Sequence, residues 1–229
     1  MTRTLMLTSH SGGSGRTFCN VNLAVALAEA GLRVLLVDLD PLCGSLAFWG
    51  DLPRPEQMEP IQRHGIRAGL DLVIGLEPED LPELHEILDG QYDYWLIDTS
   101  APLDVALQPV FGLCDDILLL IPNDPLSFRT LPRFLERLLD SKLLKPEQFR
   151  GLLLNRRERT QLMPNPAAQL EELLRHYLLP LEIPFSSLAD RALLEQQSTL
   201  ELEGPESEFG QAIVHLASML GFLTKKTQV

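Results

Sequence analysis

The sequence predicts one α/β domain built on a mainly parallel, twisted sheet with helices on both faces. Short apolar runs rich in Val, Ile and Leu alternate with longer segments whose apolar residues recur at helical spacing, the pattern of successive βα units. A chain of 229 residues suffices for one sizeable core and is short for two, so residues 1–229 are read as a single unit. Hydrophobic residues make up 45% and charged residues 22%, the balance of a folded chain and not of a disordered one.

Strands are expected at residues 4–9, 33–38, 70–75, 94–98, 116–121, 151–155 and 181–184. Most are apolar throughout, as strands buried on both faces must be. Between them, residues 17–30 are rich in Ala and Leu and stop at Gly31, a helix followed by its C-terminal glycine. Residues 126–139 and 167–178 carry apolar side chains at i, i+3 and i+4, and a last helix is expected at 207–220. Its stripe of Ile213, Leu216 and Leu220 reads as core and not as a membrane anchor. The Pro- and charge-rich residues 51–67 read as an irregular connection.

Several function classes recede on composition. The first nine residues lack the apolar region and cleavage site of a signal peptide, and no run approaches the roughly 20 apolar residues of a membrane span. Cys19, Cys43 and Cys114 are odd in number and scattered, which fits reduced thiols in a cytoplasmic protein better than disulfides or zinc. A formal net charge of −13 opposes non-specific attraction to nucleic acid, and membrane binding is equally unexpected.

The first strand runs directly into His-Ser-Gly-Gly-Ser-Gly-Arg-Thr at residues 10–17 and then into a helix. Gly12, Gly13 and Gly15 permit positive φ and close backbone approach, so successive N–H groups can converge on phosphate oxygens beside the positive end of the helix. Thr17 then offers its hydroxyl to Mg²⁺. A Gly-rich turn alone would also join a strand to a helix; the acidic residues downstream distinguish the two readings. Val-Leu-Leu-Val-Asp-Leu-Asp-Pro places Asp38 and Asp40 at a strand's C-terminal end, where ligands of open α/β sheets bind, and Tyr-Trp-Leu-Ile-Asp does the same for Asp98. The order of loop, Asp38 and Asp40, then Asp98 is more specific than any one of them.

These segments resemble the ParA/MinD family of P-loop ATPases: the deviant Walker A loop KGGxGKT at residues 11–17, switch I (VDLDPQG) from Val37, and the Walker B segment ending at Asp98. The resemblance covers nearly the whole chain and is weakest over residues 51–86. It implies a P-loop NTPase domain binding ATP or ADP with Mg²⁺. Ser11, Gly12, Gly13, Ser14, Gly15, Arg16, Thr17 and Phe18 would contact nucleotide, Thr17, Asp38 and Asp98 would serve the metal and its waters, and Asp40 would orient the attacking water. Asn155 would pair with adenine, and Pro184 reads equally as a base contact or a strand terminator.

Two loop positions depart from the family, and in switch I its Gln-Gly is replaced by Leu42-Cys43-Gly44. Its signature lysine, which reaches the partner subunit's nucleotide, falls on Ser11, and the ordinary Walker lysine falls on Arg16, whose planar fork replaces a compact ammonium and is counted with Asp40 among the catalytic candidates. Losing a cation supplied in trans would cost a factor of roughly 10³ to 10⁵ in turnover, by analogy with arginine fingers. Arg156, Arg157 and Arg159 follow a strand end and would either replace that cation or form a solvated basic loop. The resemblance implies a nucleotide-dependent homodimer that acts with a protein partner or cargo adaptor to position or partition cargo. The alternative is an accessory protein of the cellulose-synthase or pilus-assembly type that binds nucleotide without hydrolysing it. An iron–sulfur electron carrier would need paired cluster cysteines and is set aside.

Overall fold

The structure, a computed structural model, describes residues 2–50, 62–99, 107–157 and 172–222. Eight strands form one sheet: β1 (Arg3–Thr8), β2 (Val34–Asp38), β3 (Gln62–Arg67), β4 (Leu70–Ile74), β5 (Tyr94–Asp98), β6 (Asp116–Pro122), β7 (Phe149–Arg157) and β8 (Leu178–Pro184). Their spatial order is β3-β4-β2-β5-β1-β6-β7-β8. Every neighbouring pair is parallel except β3 with β4. The mainly parallel sheet expected from the sequence is therefore present.

Period-two alternation explains why the central strands read as unbroken apolar runs. Leu5 and Leu7 of β1, Leu36 of β2 and Leu96 of β5 point into one cluster, with α1 (Arg16–Glu29) and α8 (Glu208–Met219). Met6, Leu35, Val37, Trp95 and Ile97 point the other way, toward α2 (Leu81–Leu88) and α3 (Gln108–Leu113). A third cluster joins Leu119, Ile121, Leu152 and Leu154 to Phe128 and Leu131 of α4 (Pro125–Asp140). With both faces covered, neither register of side chains can be polar.

The helix ends follow local chemistry. Gly31 (φ 78°) closes α1 with paired bonds, its own N–H to the Ala28 carbonyl and the Leu32 N–H to the Leu27 carbonyl, a Schellman ending at the expected glycine. Ser207 caps α8 by accepting the Gly210 N–H at 2.9 Å. Ile213, Leu216 and Leu220 are buried in the core.

Four differences from the sequence expectations have physical causes. Residues 62–67 form β3, an antiparallel edge strand that exposes Arg63 and Gly65 on one side and leaves Gln-Arg-His-Gly-Ile-Arg without an apolar run. The helix expected to reach Leu178 is described only as α5 (Glu172–Arg175), because Leu178 begins β8; residues 167–171 lie outside the described part. Strand β7 extends beyond its apolar centre at both ends, carried by pairing with β6 and β8. The short helices α2, α3, α6 (Ala189–Leu194) and α7 (Thr199–Glu203) have eight residues or fewer each, too few for a helical period to stand out.

Gly210 of α8 has no room for a side chain: a Cβ there would overlap the Gly204 carbonyl oxygen and lie 2.8 Å from Pro205 Cα. Gly210→Ala is expected to destabilise the fold by about 1–3 kcal/mol. Gly112→Ala in α3, where a Cβ meets nothing within 4 Å, should be neutral or stabilising. Urea melts of the two variants check the contrast.

Candidate functional site

Strand β1 delivers the chain to residues 9–15 at the C-terminal edge of the sheet, between β5 and β6. Gly13 (φ 68°) and Gly15 (φ 84°) adopt left-handed backbone, whereas Gly12, expected to need the same freedom, has no positive φ. Gly15 is also the N-cap of α1, and no side chain caps that terminus or places an acid in its first turn. The first N–H groups of α1 and its positive dipole end are thus left for an anion.

Opposite this terminus, Asp38 and Asp98 stand side by side in the parallel register of β2 and β5. Both are about 1% exposed, so neither charge is relieved by solvent. Asp38 accepts the backbone N–H groups of Asp40 at 2.9 Å and Ser45 at 2.8 Å. Burial nevertheless pushes its carboxyl above the usual range, against those hydrogen bonds. Burial and the charge of Asp38 push Asp98 up as well, while the Thr17 hydroxyl, the Arg16 guanidinium and the Asn20 amide act in the opposite direction. Asp98 Oδ1 accepts from Asn20 Nδ2 at 3.2 Å, and its Oδ2 is buried with no hydrogen-bond partner among the described residues.

Arg16 enters the site as a buried cation. It is 9% exposed, one of its Nη atoms has no hydrogen-bond partner, and desolvation lowers its pKa against the attraction of Asp98 and Asp40. Its charge therefore acts on the carboxylates from within the site. Asp40 makes a tight turn: its Oδ1 accepts the Leu42 N–H at 2.9 Å and its carbonyl accepts the Cys43 N–H at 2.8 Å. Cys43, at φ 50°, takes the left-handed position of this turn, and a Cβ on Gly44 would meet Thr17 Cγ2 at 3.5 Å, so the turn packs on the helix start.

A cavity of about 330 Å³ opens beside the loop. It is lined by Gly15, Phe18, Asn155 and Pro184, all anticipated, and by Phe185, Ser186, Ser187, Ala189 and Asp190, which were not. Phe18 also packs on Phe48 and Phe209. Asn155 is tied to the loop, its Nδ2 donating to the Ser14 carbonyl at 2.6 Å. That carbonyl can only accept, so the amide orientation is fixed and Oδ1 is left buried and unpaired. Ser11 and Ser14 likewise hold buried hydroxyls without partners among the described residues, and Ser11, Gly12 and Gly13 do not line the cavity.

The residues anticipated from sequence thus gather in two adjoining zones. Arg16, Thr17, Asp38, Asp40 and Asp98 make the charged zone, and Gly15, Phe18, Asn155 and Pro184 the cavity. Arg156 and Arg157 lie on the end of β7, and Arg159 falls outside the described residues. Asn20 and Ser45 escaped the sequence reading, because each acts through a partner strand or loop that spacing does not reveal.

A model of the CobQ/CobB/MinD/ParA nucleotide binding domain matches residues 5–200. The chain belongs to this family. It is 31% identical over 214 residues to the maintenance of carboxysome distribution protein A of Gloeobacter kilaueensis, spanning 92% of this chain and 89% of that one. An ATP-binding protein of Methanocaldococcus jannaschii is 25% identical over 94% of this chain and 87% of its own. Among solved structures, the septum site-determining protein MinD of Pyrococcus horikoshii, complexed with Mg-ADP, superposes with a TM-score of 0.76 at 25% identity over the whole of both chains. Among the described residues no helix is long and apolar enough to cross a membrane.

Two buried carboxylates at adjacent register positions destabilise the nucleotide-free fold. Removing one charge while keeping its acceptor should relieve this: Asp98→Asn is expected to stabilise the ligand-free protein by about 1 kcal/mol or more, roughly 2–4 °C in melting temperature. Differential scanning calorimetry at pH 7.5 checks it, and a lowered midpoint would contradict the charge argument.

Proposed function

We propose that the chain binds ATP and ADP with Mg²⁺ and works as a nucleotide-dependent dimerising switch, in the manner of ParA/MinD proteins that position or partition cargo with a partner protein. The observation that carries this reading is the meeting of an uncapped helix start behind a left-handed Gly13 and Gly15 loop with the registered pair Asp38 and Asp98. Family membership and the likeness to an Mg-ADP-bound MinD support the choice of ligand.

The donor set fits a hydrated divalent cation. Among the described residues no three His, Cys, Asp or Glu side chains are grouped to hold a metal alone, which suits Mg²⁺, an ion that keeps several waters and leans on phosphate oxygens. The unpaired Asp98 Oδ2, with Asp38 and the Thr17 hydroxyl, would hold the cation and its water shell. When bound, the cation would neutralise charge on the β- and γ-phosphates. The loop N–H groups and α1 would bind those phosphates, Ser11 and Ser14 would supply hydroxyls, Arg16 would add charge, and Asp40 would orient the attacking water.

The cavity would take the base. Asn155 spends one Nδ2 hydrogen on Ser14 and keeps Oδ1 unpaired among the described residues, and that acceptor would suit the 6-amino group of adenine better than the 6-oxo group of guanine. Asn155→Ala is expected to weaken ATP binding about tenfold and to narrow the preference for ATP over GTP, as fluorescence titration with labelled nucleotides would measure.

Ser11 and the buried Arg16 favour a second reading, an accessory protein that binds nucleotide without hydrolysis. Light scattering and phosphate release, followed together with ATP and Mg²⁺, discriminate. Slow turnover abolished by Asp40→Ala, with ATP-dependent dimers, supports the switch; tight binding with neither favours the accessory role. Arg16→Lys should raise turnover at least tenfold if the arginine is the defect, and an unchanged rate would place the defect elsewhere.

A further inference from the structure

We propose that Asn20 is a positioning residue that fixes the Asp98 carboxylate and assigns its second oxygen to the hydrated cation. The inference rests on the Mg²⁺-nucleotide reading above and adds to it a residue outside the loop and the aspartate segments.

Asn20 is an expensive choice at its position. It sits in the second turn of α1, fully buried, where an amide is a poorer helix former than alanine and loses its hydration. Its neighbours along the helix, Cys19 and Val21, are equally buried and apolar, so packing alone would accept an apolar side chain. What the amide gains is one long-range hydrogen bond, Nδ2 to Asp98 Oδ1 at 3.2 Å, to a residue 78 positions away.

The direction of that bond is fixed by chemistry. An ionised carboxylate only accepts, so the amide nitrogen faces it and Asn20 Oδ1 is turned elsewhere. Asn20 Oδ1 is buried without a hydrogen-bond partner among the described residues, and so is Asp98 Oδ2. A residue chosen for stability alone would not carry an orphaned buried acceptor, whose lost hydration nothing repays. Both orphans are acceptors, the complement of the water hydrogens that a hydrated Mg²⁺ presents.

Asn20 and Thr17 are three residues apart on α1 and therefore share a face. Thr17 belongs to the phosphate loop and Asp98 to β5, so the Asn20 bond ties the helix that carries the phosphate site to the strand that carries the metal carboxylate. With Oδ1 engaged by Asn20, Oδ2 is the oxygen left to the cation. Partners of this kind, which orient a metal-site group, typically change metal affinity by about 10–100-fold when removed.

The test is calorimetric titration of ADP into wild type and Asn20→Leu, each with Mg²⁺ and with EDTA. Leucine keeps the branching pattern of the side chain and removes the donor. The Mg²⁺-dependent gain in ADP affinity is expected to fall about tenfold or more, while Mg²⁺-free affinity stays within about twofold. Asn20→Ser, which keeps a shorter donor, should lose less of the gain, and it carries the same comparison if the leucine variant does not fold. An unchanged gain, or equal losses with and without Mg²⁺, would overturn the assignment and leave Asn20 a packing residue. Wild type that binds no ADP in either buffer would instead sink the nucleotide reading, and the inference with it.

Discussion

Two carboxylates held side by side away from water constrain everything around them. Asp38 and Asp98 end adjacent parallel strands at the same register step, and the ladder continues past them through the Leu39 N–H to the Asp98 carbonyl at 2.9 Å. Neither can turn to solvent, so their charge must be met by what the fold brings to that edge. It brings two backbone N–H groups to Asp38, an amide to Asp98, a buried guanidinium nearby and the positive end of α1. These donors leave at least one carboxylate oxygen unpaired, and both pKa values stay raised. A fold arranged for stability alone would have neutralised the pair; this one keeps a deficit that a cation can fill.

The same constraint explains what the sequence could reveal. A strand buried on both faces must be apolar at every position up to the ligand, and polar only where it meets it, so Val-Leu-Leu-Val-Asp and Tyr-Trp-Leu-Ile-Asp announce both a strand and its functional end. The loop was legible for a related reason, since only glycine takes φ near 70–85° without strain, and Gly13 and Gly15 do so. Edge strand β3 was hidden because an edge pairs on one side only and tolerates Arg63, His64 and Arg67. Asn20 was hidden because its meaning lies in a partner 78 residues away. The cavity wall from Phe185 to Asp190 follows β8 and enters the site through sheet order, which no local pattern encodes.

Gly12 shows the limit of reading by residue type. Glycine permits a left-handed backbone without requiring it, and Gly12 is exposed with open space around the position its Cβ would take. Its value must lie in the absence of a side chain between the loop and whatever approaches it, a matter of access and not of φ. Cys43 makes the opposite point, holding φ 50° without being glycine, beside a Gly44 that does not need it. The turn after Asp40 therefore keeps its shape through the Cys43 N–H bond to the Asp40 carbonyl and by packing against Thr17, where a single glycine would have sufficed.

Helix α1 is where these separate sites meet. Its start faces the glycine loop, Asn20 reaches the Asp98 carboxylate, and Asn22 accepts the Leu200 N–H at 2.8 Å while donating to the Phe18 carbonyl at 2.8 Å. Leu200 belongs to α7, whose Glu203 accepts from Ser186 of the cavity wall and whose Glu201 pairs with Arg67 of β3. Asn155 closes the circuit by binding the loop carbonyl of Ser14 from the far side of the cavity. A rigid helix with buried polar contacts at both ends of its first two turns cannot shift at the phosphates without disturbing the others. The replacement of both loop lysines acts on this same unit. Ser11 carries no charge where the family's signature lysine falls, while Arg16 keeps a positive charge within electrostatic reach of Asp98 and Asp40. A cation held inside the site serves ground-state binding and one supplied across a dimer serves the transition state, so the two positions bear differently on the proposed switch and on the accessory reading.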